Sequence, residues 1–396
     1  MEELTRLTDD KEDLRDFYAL YLYCFKGCDS KVRQNYFDYR YSHSLKYGVK
    51  QNEKLKSGLL SIPLEVNFHD VNYKMNGICD VATYPEHSGH GEISRLMKFA
   101  LKEMYDDKVA LSYLAPFSYK FYRKFGYEAA FDHCHYLVEN RDLPKIKVED
   151  ETGTIERFEF GKAITILKPL YDESVKNRLG GLIRSVWWWN YLTIKHQDWK
   201  VAIYFDGAIK ARGYLIYSDD EKTFRIQDFC STDWTSFQHL TRFITQHQSM
   251  YQFFEYESSC PIAYLDILPE VSTVQAVIRP YMMARIVNLS AFVMQYPFLK
   301  DVESVELSVN DNILPENNGI WILSVKNGEV DFKKIRNETG GDIELEFSIQ
   351  SLTQAFLGYC SLDYLVRTGK LRGKKAAVNK LSKSLMDKKP QIQDYF

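Results

Sequence analysis

The run Asp80-Val81-Ala82-Thr83-Tyr84-Pro85-Glu86-His87-Ser88-Gly89-His90-Gly91-Glu92-Ile93-Ser94-Arg95-Leu96 sets two glycines between an extended segment and an amphipathic one. Ile78, Val81 and Thr83 favour extended backbone, and Pro85 stops it. Ile93, Leu96, Met97, Ala100, Leu101 and Met104 recur at helical spacing, so a helix begins near Gly91. Gly89 and Gly91 leave the backbone open where the first amides of a helix have no internal partner. Together with the positive end of the helix dipole, those amides make an anion pocket suited to a pyrophosphate. The bland alternative is an ordinary tight turn. A metal question arises at Asp132-His133-Cys134-His135, where the histidines share one face of a strand. No second ligand cluster lies at a recognised spacing, so ordinary strand positions and no metal are expected there.

The elements around this loop read as strand and helix in turn. Residues 2–8 form a strand, and Asp9 with Glu12 fits a capping box opening a helix through Leu14, Phe17, Tyr18, Tyr21 and Phe25. A Tyr- and Arg-rich helix follows over Lys31–Tyr41, then strands over Lys54–Ser61 and Leu64–His69 before the strand ending at Pro85. Past the glycine helix come a strand at Val109–Leu114, a short helix over Ser118–Phe125 closed by Gly126, and a strand pair ending near Asn140. No buried Asp or Glu is evident beside the aromatic helix.

The order then recurs. A helical stretch from Ile164 to Tyr191 ends in Trp187-Trp188-Trp189; strands at Lys200–Phe205, Ala208–Tyr217 and Thr223–Phe229 follow, then a helix over Trp234–Gln246 and a strand near Met250–Glu255. At the join, Cys230-Ser231-Thr232-Asp233-Trp234 replaces the glycine loop; Thr232 or Asp233 can cap the helix unaided, and Asp233 opposes an incoming anion. The last part differs: an apolar helix through Leu289, Phe292, Val293 and Tyr296, strands at Val305–Val309 and Gly319–Val325, a helix near Ser351–Phe356, and a segment Leu371–Met386 whose lysines form a solvated helical face.

At 396 residues the chain exceeds one ordinary core. With 45% hydrophobic and 15% aromatic residues, it folds throughout rather than staying disordered. A net charge of −3 and a pI near 6.3 argue against nucleic acid as the partner. The 7 scattered cysteines fit a reducing cytoplasm. An acidic start and the lack of a long apolar run argue against a signal peptide or a membrane span.

The glycine stretch resembles motif A of the GCN5-related N-acetyltransferases, Arg/Gln-x-x-Gly-x-Gly/Ala after a Val-x-Pro strand end. The frame falls on Ser88-Gly89-His90-Gly91-Glu92-Ile93, with Ser88 for the basic or amide residue and Ile93 for the last small one. Phe121-Tyr122-Arg123-Lys124-Phe125-Gly126-Tyr127 is similar to a second signature of that family. The whole chain resembles the enhanced-intracellular-survival (Eis-like) group: an acetyltransferase domain, a degenerate second copy and a sterol-carrier-like domain, expected over 1–145, 146–280 and 281–396. The fold expected is mixed α+β.

The resemblance implies an N-acetyltransferase moving an acetyl group from acetyl-CoA to a primary amine, an aminoglycoside-like polyamine or a lysine, without metal. It implies that Val81, Ala82 and Thr83 pair with the pantetheine arm. Gly89, His90, Gly91, Glu92, Ile93 and Ser94 would cradle the pyrophosphate, and Phe117 and Ser118 would line the cofactor. Tyr122 would sit beside the cofactor sulfur, where a hydroxyl of pKa ~10 can protonate a thiolate. Phe396 would bring its free carboxylate into the active site. A cytoplasmic homohexamer without membrane or nucleic-acid partners is implied. The competing expectation is a non-catalytic apolar-ligand-binding or regulatory protein carrying a relic domain.

Overall fold

Asp10, rather than Asp9, starts the first helix: its carboxylate accepts from the Glu12 and Asp13 amides at 3.0 and 2.8 Å. The structure is a computed structural model that describes residues 2–176, 178–260, 267–268, 270–339 and 343–396. Its first part runs β1 (Glu2–Arg6), α1 (Lys11–Phe25), α2 (Lys31–Ser42), β2 (Leu45–Gln51), β3 (Lys54–Phe68), β4 (Val71–Thr83), α3 (Glu92–Asp106), β5 (Leu111–Leu114) and α4 (Tyr119–Arg123). The two strands expected on either side of Ile62-Pro63 are thus one, β3. Pro63 lies beyond Ser61, where pairing with β2 ends, so its missing N–H costs no bond to that strand. β2 was not expected at all; it joins β3 through Asn52 and Glu53, both at positive φ as a two-residue hairpin turn requires.

The middle of the chain gives β6 (Glu128–Glu139), β7 (Thr154–Glu159), α5 (Phe160–Val175), β8 (Leu179–Leu182), α6 (Val186–Lys195), β9 (Lys200–Phe205), β10 (Ala211–Asp219), β11 (Thr223–Ser231), α7 (Trp234–Thr245) and β12 (Phe253–Ser258). The continuous helix expected over Ile164–Tyr191 is broken by β8, where Gly180 takes φ +81°, a conformation no helix continues. Then come β13 (Gln275–Ile286), α8 (Leu289–Val293), β14 (Val302–Asn310), β15 (Gly319–Lys326), β16 (Glu329–Arg336), β17 (Leu345–Ser348), α9 (Ile349–Phe356), α10 (Leu362–Arg367), β18 (Leu371–Gly373) and α11 (Lys375–Ser382).

These elements pack as two units. The first takes Met1–Ala130, Tyr281–Pro390 and Asp394–Phe396; the second takes Phe131–Pro280 and Gln391–Gln393. In the first unit the strand order is β1-β2-β3-β4-β5-β13, with a separate sheet β16-β15-β14-β17-β18. α3 is fixed on its sheet by Leu96, Met97, Leu101 and Met104, all at most 1% exposed. At roughly 1.5–3 kcal/mol for each buried side chain, they hold the helix start rigidly. In the second unit the order is β6-β12-β11-β10-β9-β7, over a core that includes Val138, Tyr204, Leu215, Phe224 and Leu240. Among the described residues no helix is long and apolar enough to cross a membrane.

Candidate active site

β4 pairs antiparallel with β3 out to Thr83, but parallel with β5 only as far as Ile78 opposite Leu114. Past that point Val81–Thr83 has no strand partner on the β5 side among the described residues. The cause of the divergence is local: Asp80 and Val81 together oppose the single residue Leu59, a bulge, and Asp80 takes φ +49°. An open strand edge of this kind accepts an extended ligand as an added half-strand. Val81 is half-buried on the core, Ala82 is buried, and the Thr83 carbonyl accepts from the Cys24 thiol at 3.3 Å.

A single turn at Pro85–His87 leads from this edge into the glycine loop. Gly89 and Gly91 stand at φ +89° and +80°, and a Cβ at either would meet only open space. Gly91 is the N-cap of α3 with no side-chain cap, so the amides of Glu92, Ile93 and Ser94 find no protein acceptor among the described residues. The loop therefore keeps the unfilled, donor-rich shape that a pyrophosphate requires. Ile93 packs its side chain on the core, and its amide alone remains for a ligand. Glu92 is likewise turned inward: it is 2% exposed and accepts a hydrogen bond from the Ser57 hydroxyl, itself 2.9 Å from the Thr83 hydroxyl. His90 is exposed.

Ser118 caps α4, its hydroxyl accepting from the Phe121 amide at 3.3 Å. Phe117 is 72% exposed, and its ring meets the Tyr122 ring edge-on at 5.3 Å. Tyr122 is buried, and its hydroxyl donates to no protein group among the described residues. Burial, with Tyr127, Cys79 and Tyr395 nearby, pushes its phenol above the ordinary range.

The end of the chain comes to the same strand. Phe396 is 4% exposed and lies so close over Gly77 of β4 that a Cβ there would come within 2.6 Å of its ring. Tyr281 supports the approach, donating from its hydroxyl to the Asp394 carbonyl at 3.2 Å and touching the Tyr395 ring. Sequence reasoning missed Gly77, although an isolated glycine inside a strand signals a close approach. It also missed Asp80, a buried carboxylate paired with buried Arg40 at 2.5 Å. Asp80 lies close enough to Tyr395 to raise that phenol, after burial itself. The expectation of no buried acid beside the aromatic helix is corrected by Glu128, which is 7% exposed and accepts from Arg123 of α4 at 2.7 Å.

The second unit repeats the geometry and fills it. β11 pairs parallel with β12 only from Thr223 to Ile226, then diverges. The Gln393 amide bridges the gap, donating to the carbonyls of Gln227 and Glu257 at 3.0 and 2.9 Å. At the start of α7, Asp233 forms a reciprocal capping box with Ser236. His133 and His135 are accounted for in the same unit: His133 bonds the Ile392 carbonyl at 2.8 Å, and His135 bonds Glu257 at 2.9 Å.

Residues 5–130 match the acetyltransferase (GNAT) domain family, residues 180–286 match a second acetyltransferase (GNAT) domain family, and residues 289–393 match the sterol carrier protein domain. Among solved structures, a protein from Enterococcus faecalis described as a probable N-acyltransferase is 35% identical, with 100% of both chains covered and a TM-score of 0.93. A GCN5-related N-acetyltransferase from Anabaena variabilis is 24% identical over 100% of both chains, with a TM-score of 0.88. Eis1 from Mycobacterium abscessus shares the fold at 17% identity over 100% of both chains and a TM-score of 0.80. No curated protein matches the sequence. With the open strand edge, the donor-rich loop and the three domain types in this order, the chain belongs to the GCN5-related N-acetyltransferases, in the Eis-like group of tandem acetyltransferase-fold domains closed by a sterol-carrier-like domain.

Proposed function

We propose that the protein transfers an acetyl group from acetyl-CoA to a primary amine, a polyamine of the aminoglycoside type or a lysine side chain, by direct attack in a ternary complex. The observation that carries this reading is the convergence on β4: the edge at Val81–Thr83 that no longer pairs with β5, the open loop at Gly89–Gly91, and the ring of Phe396 on Gly77. Val81 to Thr83 would align the pantetheine arm, and the amides from Gly89 to Ser94 would hold the pyrophosphate. The amine attacks the thioester carbonyl; an N–C bond forms as the C–S bond breaks. Tyr122 donates a proton toward the leaving sulfur, and the α-carboxylate of Phe396 takes the proton the amine releases. Most of the acceleration comes from holding the two reactants in line.

The test is calorimetric titration with CoA, followed by a panel of amines with acetyl-CoA and detection of free thiol. Saturable CoA binding and thiol release with at least one polyamine or lysine peptide are expected. Gly91→Val places a branched side chain where the pyrophosphate would lie and should abolish CoA binding. Its φ of +80° adds strain of about 1–2 kcal/mol, which leaves the protein folded by circular dichroism. A wild-type protein that binds no CoA would overturn the reading and leave the relic alternative standing.

A further inference from the structure

The glycine loop carries a group that acetyl transfer does not explain. Glu92 is 2% exposed; Ser57 donates to its Oε2, while Oε1 is fully buried with no hydrogen-bond partner. A buried carboxylate oxygen left unpaired is costly, and this one belongs to the first residue of α3, directly after the glycine loop. Two imidazoles face it. His87 Nδ1 is 3.8 Å from Glu92 Oε1, too far for a hydrogen bond. His90 completes the group: one ring nitrogen of each histidine and a Glu92 carboxylate oxygen all lie within 4.8 Å of one another. The two rings stand nearly perpendicular, at 86° with centroids 6.4 Å apart, so they present different directions to a common point.

We infer that His87, His90 and Glu92 form a binding site for a divalent transition-metal ion of the zinc class. Two imidazoles and one carboxylate match the ligand preferences of zinc and of the neighbouring late transition metals, not of magnesium or calcium. At metal–ligand distances of about 2.0–2.1 Å, tetrahedral donors sit roughly 3.4 Å apart, so the site closes with a movement of about 1 Å. The exposed His90, flanked by Gly89 and Gly91, supplies that movement. Three protein ligands leave a fourth position open. An ion there changes the charge of the three ligands, with neutral imidazoles, from −1 to +1, replacing the positive charge that Ser88 does not bring. That last consequence rests on the cofactor reading; the metal site itself does not.

The test uses the full chain, stripped with a chelator and titrated with Co²⁺ followed by visible absorption, and with Zn²⁺ by calorimetry, both without CoA. One ion per chain is expected, with the ligand-field bands of a four- or five-coordinate nitrogen–oxygen site. His90→Gln, at an exposed position that leaves folding unaffected, should weaken binding roughly tenfold or more, and His87→Gln and Glu92→Gln by a similar factor. No stoichiometric binding, or binding unchanged in His90→Gln, would overturn the site. Either result is independent of CoA affinity, so it is distinct from a failure of the acetyltransferase reading.

Discussion

In the proposed reaction Tyr122 donates a proton from a place where a phenol gives one up least readily. Burial raises it above its ordinary range, so it stays neutral across any working pH and always has a proton to offer. An ordinary phenol, near ~10, is already a weaker acid than a thiol, near ~8.5, and the shift widens that gap for the proposed proton transfer. Its contribution is therefore a hydrogen bond that strengthens as charge gathers on sulfur. That places the expected loss in Tyr122→Phe at the low end of the general-acid range, about 10²-fold in turnover. CoA affinity should move by less than about twofold, because the ring contacts with Phe117, Phe121 and Tyr127 persist in the variant. Turnover that survives within about twofold would make Tyr122 a packing residue. The helix start at Gly91 and the short aromatic helix of Tyr122 were legible in the sequence because each sits in a local pattern. Asp80, Gly77 and the inward turn of Glu92 were not, because they depend on partners far along the chain: Arg40, Phe396 and Ser57.

At the level of elements, the sequence showed where helices and strands alternate but not where a helix had to stop. The apolar spacing from Ile164 to Tyr191 hides β8, since Leu179-Gly180-Gly181-Leu182 is short and its glycines fit a helical count as well as a break. Pro63 misled in the opposite sense, suggesting a gap in a strand that runs through it. The end of α6 offers a measurable consequence of packing. His196 stacks on Trp199 with centroids 3.9 Å apart, and burial, with Lys195 second, pushes its imidazole down to about 3. The unfolded chain takes up the proton near pH ~6.5 and the folded one does not. This contribution to stability is therefore whole above pH ~6.5 and is lost as pH falls from there toward about 3, at up to about 1.4 kcal/mol per pH unit. His196→Phe keeps the stack and removes the titration. Between pH 7 and pH 5, wild type should lose roughly 2 kcal/mol more stability in urea unfolding than the variant does. Equal losses would show that His196 titrates normally.

On the scale of the whole molecule, the first unit is made from both ends of the sequence, and the proposed site draws on both. Arg285, wholly buried, donates to the Phe125 carbonyl at 2.6 Å and to Asp311 at 2.5 Å. It thereby ties the turn after the tyrosine helix to the sterol-carrier-like part. Gly126 is needed in that turn, because a Cβ there would come 2.8 Å from the guanidinium. The last residues return to β4 in the same way, with the Phe396 ring on Gly77, and in the proposed reaction the same residue also brings its α-carboxylate. An amine nucleophile arrives mostly protonated and needs a base. Asp80 is already engaged with Arg40, which leaves the α-carboxylate of Phe396 as the proposed acceptor. Docking and catalysis make opposite demands: docking needs the ring on Gly77, and catalysis needs the carboxylate at one place. Adding a single Gly after Phe396 keeps the ring and moves the charge by about 3.5 Å. The extended protein should fold, bind CoA with unchanged affinity and lose nearly all acetyl transfer. Phe396→Ala makes the converse change, keeping a terminal charge but freeing it from its seat, and should also lose transfer. Wild-type turnover in the Gly-extended chain would assign Phe396 to docking alone and return the search for the base to the carboxylates of the first unit.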